Sequence, residues 1–251
     1  MKSGISRKIL FFILVLTTIG CILWLFLTFK PVKNPFTEYK STTISMDSDN
    51  NSGYPENPIH FKELQKKNKD VYAWITIPGT NVDYPVVQAS NDKSDNFYLD
   101  HNIDQEYEFA GMIYSQRLNN KSFSDPVTVL YGHNMLNGSM FATLHRFEDA
   151  KFFKKHDTMT VYTPGHILTY RIVAAYIYDN RHILNTFDFS SKKELKKYYE
   201  SIMNPKSMVK NVRDGLSLST TDHILTLSTC TSSDSQRYLV QGVLTNDTIT
   251  K

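Results

Sequence analysis

The sequence predicts a mostly β domain with few helices, carried behind an N-terminal membrane-spanning helix. Three observations lead there. About eight short runs rich in Val, Ile, Thr, Tyr and Leu, punctuated by Gly, Pro, Asn and Asp, fill the chain from Val71 onward. Helical periodicity is confined to a few stretches that do not alternate with the strands, which argues against a doubly wound sheet and for a closed barrel or a sandwich. At the other end, Ile9 to Phe29 is a run of 21 residues without a charge, and roughly 20 residues cross a hydrocarbon core.

The N-terminal piece divides into a short cytoplasmic stretch, residues 1–8, and an uncleaved signal anchor, residues 9–29. Arg7 and Lys8 precede the apolar run, Trp24 and Phe29 lie toward its far end, and KPVKNPF follows it. Interfacial aromatics suit an anchor, and the absence of an A-x-A-like site argues against cleavage. Residues 1–30 hold four basic side chains and no acid, so of the chain's +3 charge residues 31–251 carry a net −1. A near-neutral outer domain offers nucleic acid no electrostatic footprint. With 41% hydrophobic and 21% charged residues the chain is not disordered as a whole, and two cysteines exclude a disulfide scaffold or a Cys-rich zinc module. No cofactor or metal motif is present. The acidic loop holding Asp92, Asp95, Asp100, Asp104, Glu106 and Glu108 lacks the ligand order of a calcium loop and reads as solvated.

Residues 30–56 read as a polar linker that holds the domain off the membrane. Within it, Asn34-Pro35-Phe36-Thr37 reads as a chance match, in an Asn-rich chain, to a peptide signal discussed below. The domain proper spans 57–247. Pro58–Asp70 predicts a short amphipathic helix with Ile59, Phe61 and Leu64 apolar. The strands follow: VYAWIT, VDYPVVQ, FAGMIYSQ, PVTVLYGH, a hairpin turning at Pro164-Gly165, HILTLSTC and RYLVQGVLT. Two helices interrupt them. Ser139–Phe153 sets Met140, Phe141, Leu144 and Phe147 on one face, and Ser191–Met203 opens with a capping box of Ser191 and Glu194.

The chemistry converges on Cys230, the only thiol of the outer domain. It has no partner for a structural disulfide, and an isolated thiol in an oxidising compartment is a liability without a reactive role. In HILTLSTC the side chains alternate, so Leu225, Leu227 and Thr229 share the core face while Cys230 ends the strand on the more polar one. A loop of Thr231 to Gln236 returns the chain, and the antiparallel hairpin brings Arg237 close to Cys230. A permanent guanidinium charge there favours the thiolate and can receive a developing oxyanion. Amide chemistry also needs an acid for the leaving amine. Of eight histidines, His133 stands out because it directly follows a buried strand. His145, with His60 and His156, reads as a surface residue. Spacing cannot bring His133 and Cys230 together, since they are 97 positions apart in the chain.

The run Thr226–Cys230 (TLSTC), the downstream Arg237 and the upstream Leu130–Met135 (LYGHNM) resemble the sortases, cysteine transpeptidases of Gram-positive cell surfaces. WITIPGTNVDYPVVQ, GSMFATLHRF and the helix before the Cys strand resemble class B members in particular. The resemblance implies an eight-stranded closed barrel. It implies that Cys230 attacks the carbonyl of a Thr in an NPxT-type sorting signal, that His133 handles the amine proton, and that Arg237 steadies substrate and oxyanion. It implies that Ser228 and Thr229 line the peptide groove, with Leu99 as an apolar wall. The partners it implies are the sorting-signal peptide of a surface protein and a peptidoglycan precursor amine, on the extracellular face of a single-pass membrane protein. The alternatives are a pilin polymerase that uses a pilin lysine amine, a cysteine hydrolase, and a non-catalytic surface-binding barrel. The loop from Cys230 to Arg237 is short for class B, and the aromatic D-P-x lid of pilus polymerases is absent from the N-terminal region.

Overall fold

The computed structural model describes residues 7–28, 34–41 and 53–251. The chain divides into two compact units, one ending at residue 33 and one spanning 34–251. In the first, helix α1 runs over Arg7–Thr28. Among the described residues no helix is long and apolar enough to cross a membrane, and the side chains at 7, 22 and 24–28, together with residues 1–6 and 29–33, lie outside them.

The second unit is built on nine strands: β1 (Val71–Thr76), β2 (Asp83–Gln88), β3 (Ile113–Ser115), β4 (Val127–Tyr131), β5 (Thr158–Thr163), β6 (His166–Asp179), β7 (Lys210–Val212), β8 (Ile224–Cys230) and β9 (Gln236–Ile249). Their order is β5-β1-β2-β3-β4-β8-β9-β6-β7, and a further β5–β6 pairing closes the first eight into a barrel. Strand β6 explains how closure and the extra strand coexist. Along one edge it pairs with β9 over its whole length, with register shifts at Thr169/Tyr170 and Ile172/Ala174. Along the other, its first half pairs with β5 and Ala174–Tyr176 pair with β7. Such irregularities bend a strand and let one element serve two neighbours.

The core has an inside and two outside layers. Ala73, Ile75, Val86, Leu130, Val161, Ile172, Leu225, Leu227 and Val240 fill the barrel. Helix α5 (Lys192–Met203) lays Leu195, Tyr198, Tyr199 and Ile202 over Val127, Val129, Ile224 and Leu239. Helix α2 (Phe61–Lys67) places Phe61 and Leu64 against Val71, Trp74 and Val87. Strands covered on both sides therefore carry apolar residues at successive positions, whereas pure alternation would leave one face polar.

The helices depart from expectation in instructive ways. Only Phe61–Lys67 of the Pro58–Asp70 stretch is helical, because Ile59 pairs instead with Lys40 in an isolated bridge. The apolar stripe of Ser139–Phe153 is carried by two pieces, a 3-10 helix Ala142–Glu148 and α3 (Ala150–Lys155). Asp149 separates them: its backbone is extended and its carboxylate accepts the Phe152 N–H at 2.7 Å, capping α3. Ser191 caps α5 as expected, but Glu194 accepts from Asp188 N–H and not from Ser191. Strand β7 and the single-turn helix α4 (Ile183–Thr186) lie in segments without a strong apolar pattern.

Part of the stretch read as linker is folded. Residues 42–52 lie outside the described residues, but 34–41 packs against β1 and β2. The Asn34 amide donates to the Asp83 carbonyl, and Lys40 pairs with the Asp83 carboxylate at 2.9 Å. The Phe36 ring meets Trp74 edge-on at 6.5 Å. The anchor for all this, Asp83, also accepts from the Trp74 indole N–H at 2.7 Å.

Candidate active site

Two strand pairings assemble the site. Strands β4 and β8 are parallel neighbours with Tyr131 opposite Ser228. Two residues beyond Tyr131 stands His133, and two beyond Ser228 stands Cys230, so the chain leaves both strands at one end of the barrel with these residues level. The Gly132 N–H donates to the Ser228 carbonyl at 3.2 Å and carries the pairing past the strand end. A Cβ at Gly132 would meet the Ile113 and Phe141 side chains at 2.5 and 2.8 Å, so these core side chains would have to shift to admit one. On the other side of β8, the antiparallel partner β9 sets Arg237 directly across from Cys230.

A cleft of about 330 Å³ lies at this end. Its lining includes all six residues singled out from the sequence: Leu99, His133, Ser228, Thr229, Cys230 and Arg237. Tyr178 near the end of β6, Asn180, Arg181 and His182 in the connection that follows, and Ile183 at the start of α4 add to the lining. Cys230 is exposed, whereas Ser228 and Thr229 beneath it are buried. A larger cavity of about 520 Å³, lined by Gln65, Tyr72, Lys121, His166 and Asp247 among others, contains none of the six. It holds no cysteine, and the chemistry argued below belongs to the smaller cleft.

His133 is held by the long connection between β2 and β3. Its Nε2 lies 2.9 Å from the Leu99 carbonyl oxygen, which only accepts, so Nε2 carries a proton. The imidazole stacks on the Phe109 ring at 5.1 Å. Leu99 ends a 3-10 turn, Phe97–Leu99, tied down through its neighbour Tyr98. That buried phenol donates to Asp70 at 2.7 Å and accepts from Asn68 at 2.8 Å. Burial disfavours the charged form of Asp70, but bonds from Lys93 and Tyr98 outweigh it and hold the carboxyl below the ordinary range. The loop read as merely solvated thus carries the carbonyl and the ring that fix His133. Among the described residues no three His, Cys, Asp or Glu side chains cluster to hold a metal ion.

Arg237 folds back on its own loop: Nη1 donates to the carbonyls of Asp234 and Gln236 at 3.0 and 2.8 Å. Its guanidinium therefore sits at the cleft without a carboxylate partner among the described residues. Burial, and after it the Asp95 charge, pushes the Tyr114 phenol up, and burial does the same to Tyr131. Both phenols line the cleft and stay neutral at neutral pH. The buried hydroxyls of Thr229, Tyr131 and Tyr178 have no hydrogen-bond partner among the described residues, leaving polar atoms in the lining unsatisfied.

One contact escapes the sequence reading. His145, expected at the surface, lies 3.0 Å through Nε2 from the Cys230 carbonyl oxygen. Its place on the i, i+3 edge with Glu148 is visible in the sequence, but its distance to a strand end 85 residues away is not.

A family model described as the Sortase domain matches residues 75–245. Sortase B of Listeria monocytogenes is 34% identical over 190 residues, 73% of this chain and 73% of that protein. The structure of Clostridium perfringens sortase B matches with a TM-score of 0.66 and 35% identity, covering 74% of this chain and 100% of that one. A Staphylococcus aureus sortase B–substrate complex matches with a TM-score of 0.65 and 25% identity, over 74% of this chain and 85% of that one.

Proposed function

The chain belongs to the sortase family as a class B member, a cysteine transpeptidase, and from that premise we propose that it cleaves an NPxT-type sorting signal after its Thr and joins the protein to a peptidoglycan amine. The observation that carries this reading is the level placement of His133 and Cys230 on parallel β4 and β8, with Arg237 across the hairpin. Cys230 thiolate attacks the Thr carbonyl and forms the C–S bond. The C–N bond then breaks, and the leaving amine takes a proton from His133. With Nε2 engaged by Leu99, Nδ1 is the nitrogen left to carry that proton. In the second half the acceptor amine attacks the thioester, gives its proton back to His133 and releases the thiolate. Arg237 stabilises the oxyanion of each tetrahedral intermediate. Leu99, Ser228 and Thr229 contact the peptide.

We further propose that residues 9–29 anchor the protein in the membrane of a Gram-positive cell, with the catalytic unit on the extracellular face. The uncharged run and the basic residues before it support that topology. The Asn34–Thr37 segment is not offered as a substrate, since it is folded on β1 and β2 and does not line the cleft.

A peptide-library assay comparing NPxT-type with LPxT-type peptides, run with the enzyme and with Cys230→Ala, tests the reading. NPxT cleavage that depends on Cys230, with hydroxylamine capturing the acyl group, is the expected result. Cleavage by Cys230→Ala would overturn the nucleophile, and preference for LPxT would overturn the signal. Offering a cross-bridge amine against a lysine side chain separates wall anchoring from pilin polymerisation.

A further inference from the structure

Two side chains that the proposed chemistry leaves unused converge on the backbone of the nucleophile, and a third backs one of them. His145 Nε2 lies 3.0 Å from the Cys230 carbonyl oxygen, and Asn134 Nδ2 donates to the same oxygen at 3.1 Å. The carbonyl only accepts, so Nε2 must carry a hydrogen. The 3.2 Å contact between Asn134 Nδ2 and His145 Nε2 is then two donors converging on one acceptor. Behind the ring, Nδ1 meets the Glu148 carboxyl at 2.6 Å, so a proton lies between them whichever partner holds it. The imidazole also stacks on Tyr238 at 4.9 Å. Tyr238 is the cross-strand partner of Thr229, the residue before Cys230.

The local fold explains why these groups meet. Ala142–Glu148 is a 3-10 helix, in which residues three apart eclipse one another. Leu144 and Phe147 go into the core, and His145 and Glu148 are left stacked on the other edge. Asn134 directly follows His133 and is pinned by a bridge to Met140. One loop, 133–148, therefore holds the candidate acid at its start and clamps the nucleophile's carbonyl from its end.

We propose that His145, oriented by Glu148 and assisted by Asn134, is a positioning residue. It fixes the peptide unit after Cys230 and with it the direction in which the Cys230 Cα–Cβ bond enters the cleft. The inference rests on Cys230 being the nucleophile. Strand β8 ends at Cys230, so the ladder does not restrain the following peptide, and the clamp supplies the missing restraint. A misaligned nucleophile loses rate in the bound complex more than it loses affinity.

The test is steady-state and single-turnover cleavage of an NPxT-type peptide by the full-length enzyme and its variants, with thermal melting as a check on folding. His145→Ala is expected to lower kcat about tenfold or more with KM changed less than about twofold. His145→Gln keeps an N–H donor near the position of Nε2 and is expected to recover most of the loss. Glu148→Gln is expected to lower kcat by several-fold alone and to add nothing in the His145→Ala background, as for groups acting through one contact. Wild-type kcat in His145→Ala, a change confined to KM, a Gln variant as impaired as Ala, or additive losses each overturn the proposal. If His145→Ala does not fold, Glu148→Gln and His145→Gln decide it: reduced kcat at constant KM in Glu148→Gln supports the clamp, and unchanged kcat in both overturns it. Cys230→Ala separates the two levels of inference. An active Cys230→Ala refutes the nucleophile itself, whereas an inactive one beside a fully active His145→Ala refutes only the clamp.

Discussion

Gly111→Ala is the sharpest perturbation of the arm that holds His133. Gly111 has φ +55°, and a Cβ there would press on the carbonyl oxygens of Leu99 and Tyr98, the latter at 2.5 Å. Neither obstacle is a flexible side-chain tip. The left-handed conformation costs a non-glycine residue roughly 1–2 kcal/mol, and forcing atoms into a packed site adds about 1–3 kcal/mol. A loss near 3 kcal/mol lowers the melting temperature of a domain this size by about 6–12 °C. The sufferer is the Leu99 carbonyl, the acceptor for His133 Nε2. Displacing it frees the imidazole to turn, and misplacement of about 1 Å at a reacting group costs on the order of 100-fold in rate. Differential scanning calorimetry and peptide cleavage measure the two effects on one preparation. A Gly111→Ala protein with wild-type melting and wild-type cleavage would refute the argument that this close approach holds the histidine.

Three further outcomes follow from other parts of the structure. Gln241→Leu is expected to destabilise by about 2–4 kcal/mol, because it strips bonds from the buried Tyr176 hydroxyl, Tyr198 hydroxyl and Thr226 hydroxyl; an unchanged urea midpoint contradicts this. The Asp70 carboxyl is held below its ordinary range when folded, so its stabilisation is present above the unfolded pKa of about 3.9 and is lost as pH falls through the folded value. Asp70→Asn is therefore expected to differ from wild type at pH 7 by about 1–3 kcal/mol and to converge with it in acid, and urea titrations giving a pH-independent gap exclude the linkage. Arg237→Lys keeps the charge but not the planar fork, and kcat/KM for peptide cleavage is expected to fall roughly 10–100-fold; near-full activity removes Arg237 from the oxyanion role.

What the sequence discloses depends on whether an interaction is local. The hairpin bringing Arg237 beside Cys230 is legible because a short return loop between two alternating strands leaves little freedom. The Leu225 and Leu227 face is legible for the same reason, and it does point into the barrel. The meeting of His133 and Cys230 is not legible from pattern. It depends on β4 and β8 pairing in parallel, and parallel neighbours are joined by long crossovers with no local signature; the motif resemblance alone brings these residues together in advance. The interrupted helix at Asp149 shows a second limit. Apolar spacing reports which side chains face the core, and a 3-10 segment followed by a capped α-helix satisfies the same stripe. The packed 34–41 segment shows a third, since its contacts run through Asn34, Phe36 and Lys40 to one distant carboxylate, Asp83.

The two residues proposed to exchange the proton and the acyl group are restrained by different loops, and neither loop is part of the barrel ladder. His133 leans on Leu99 and Phe109 from the β2–β3 connection, while the Cys230 backbone is gripped by Asn134 and His145 from the β4–β5 connection. The barrel core sets only where the two strands end. Side-chain aim is decided in the connections between strands, where each contact on the site is one hydrogen bond or one stacked ring. Such regions open at lower free energy than core strands. Substitutions in the two loops should therefore depress turnover by more than their effect on global stability accounts for, whereas Gln241→Leu, between α5 and β8, should do the reverse. Comparing the turnover lost per degree of melting temperature across Phe109→Leu, Asn134→Ala and Gln241→Leu tests that division. Equal ratios in all three would mean that the loops and the barrel behave as one cooperative unit and that the site has no separate restraint.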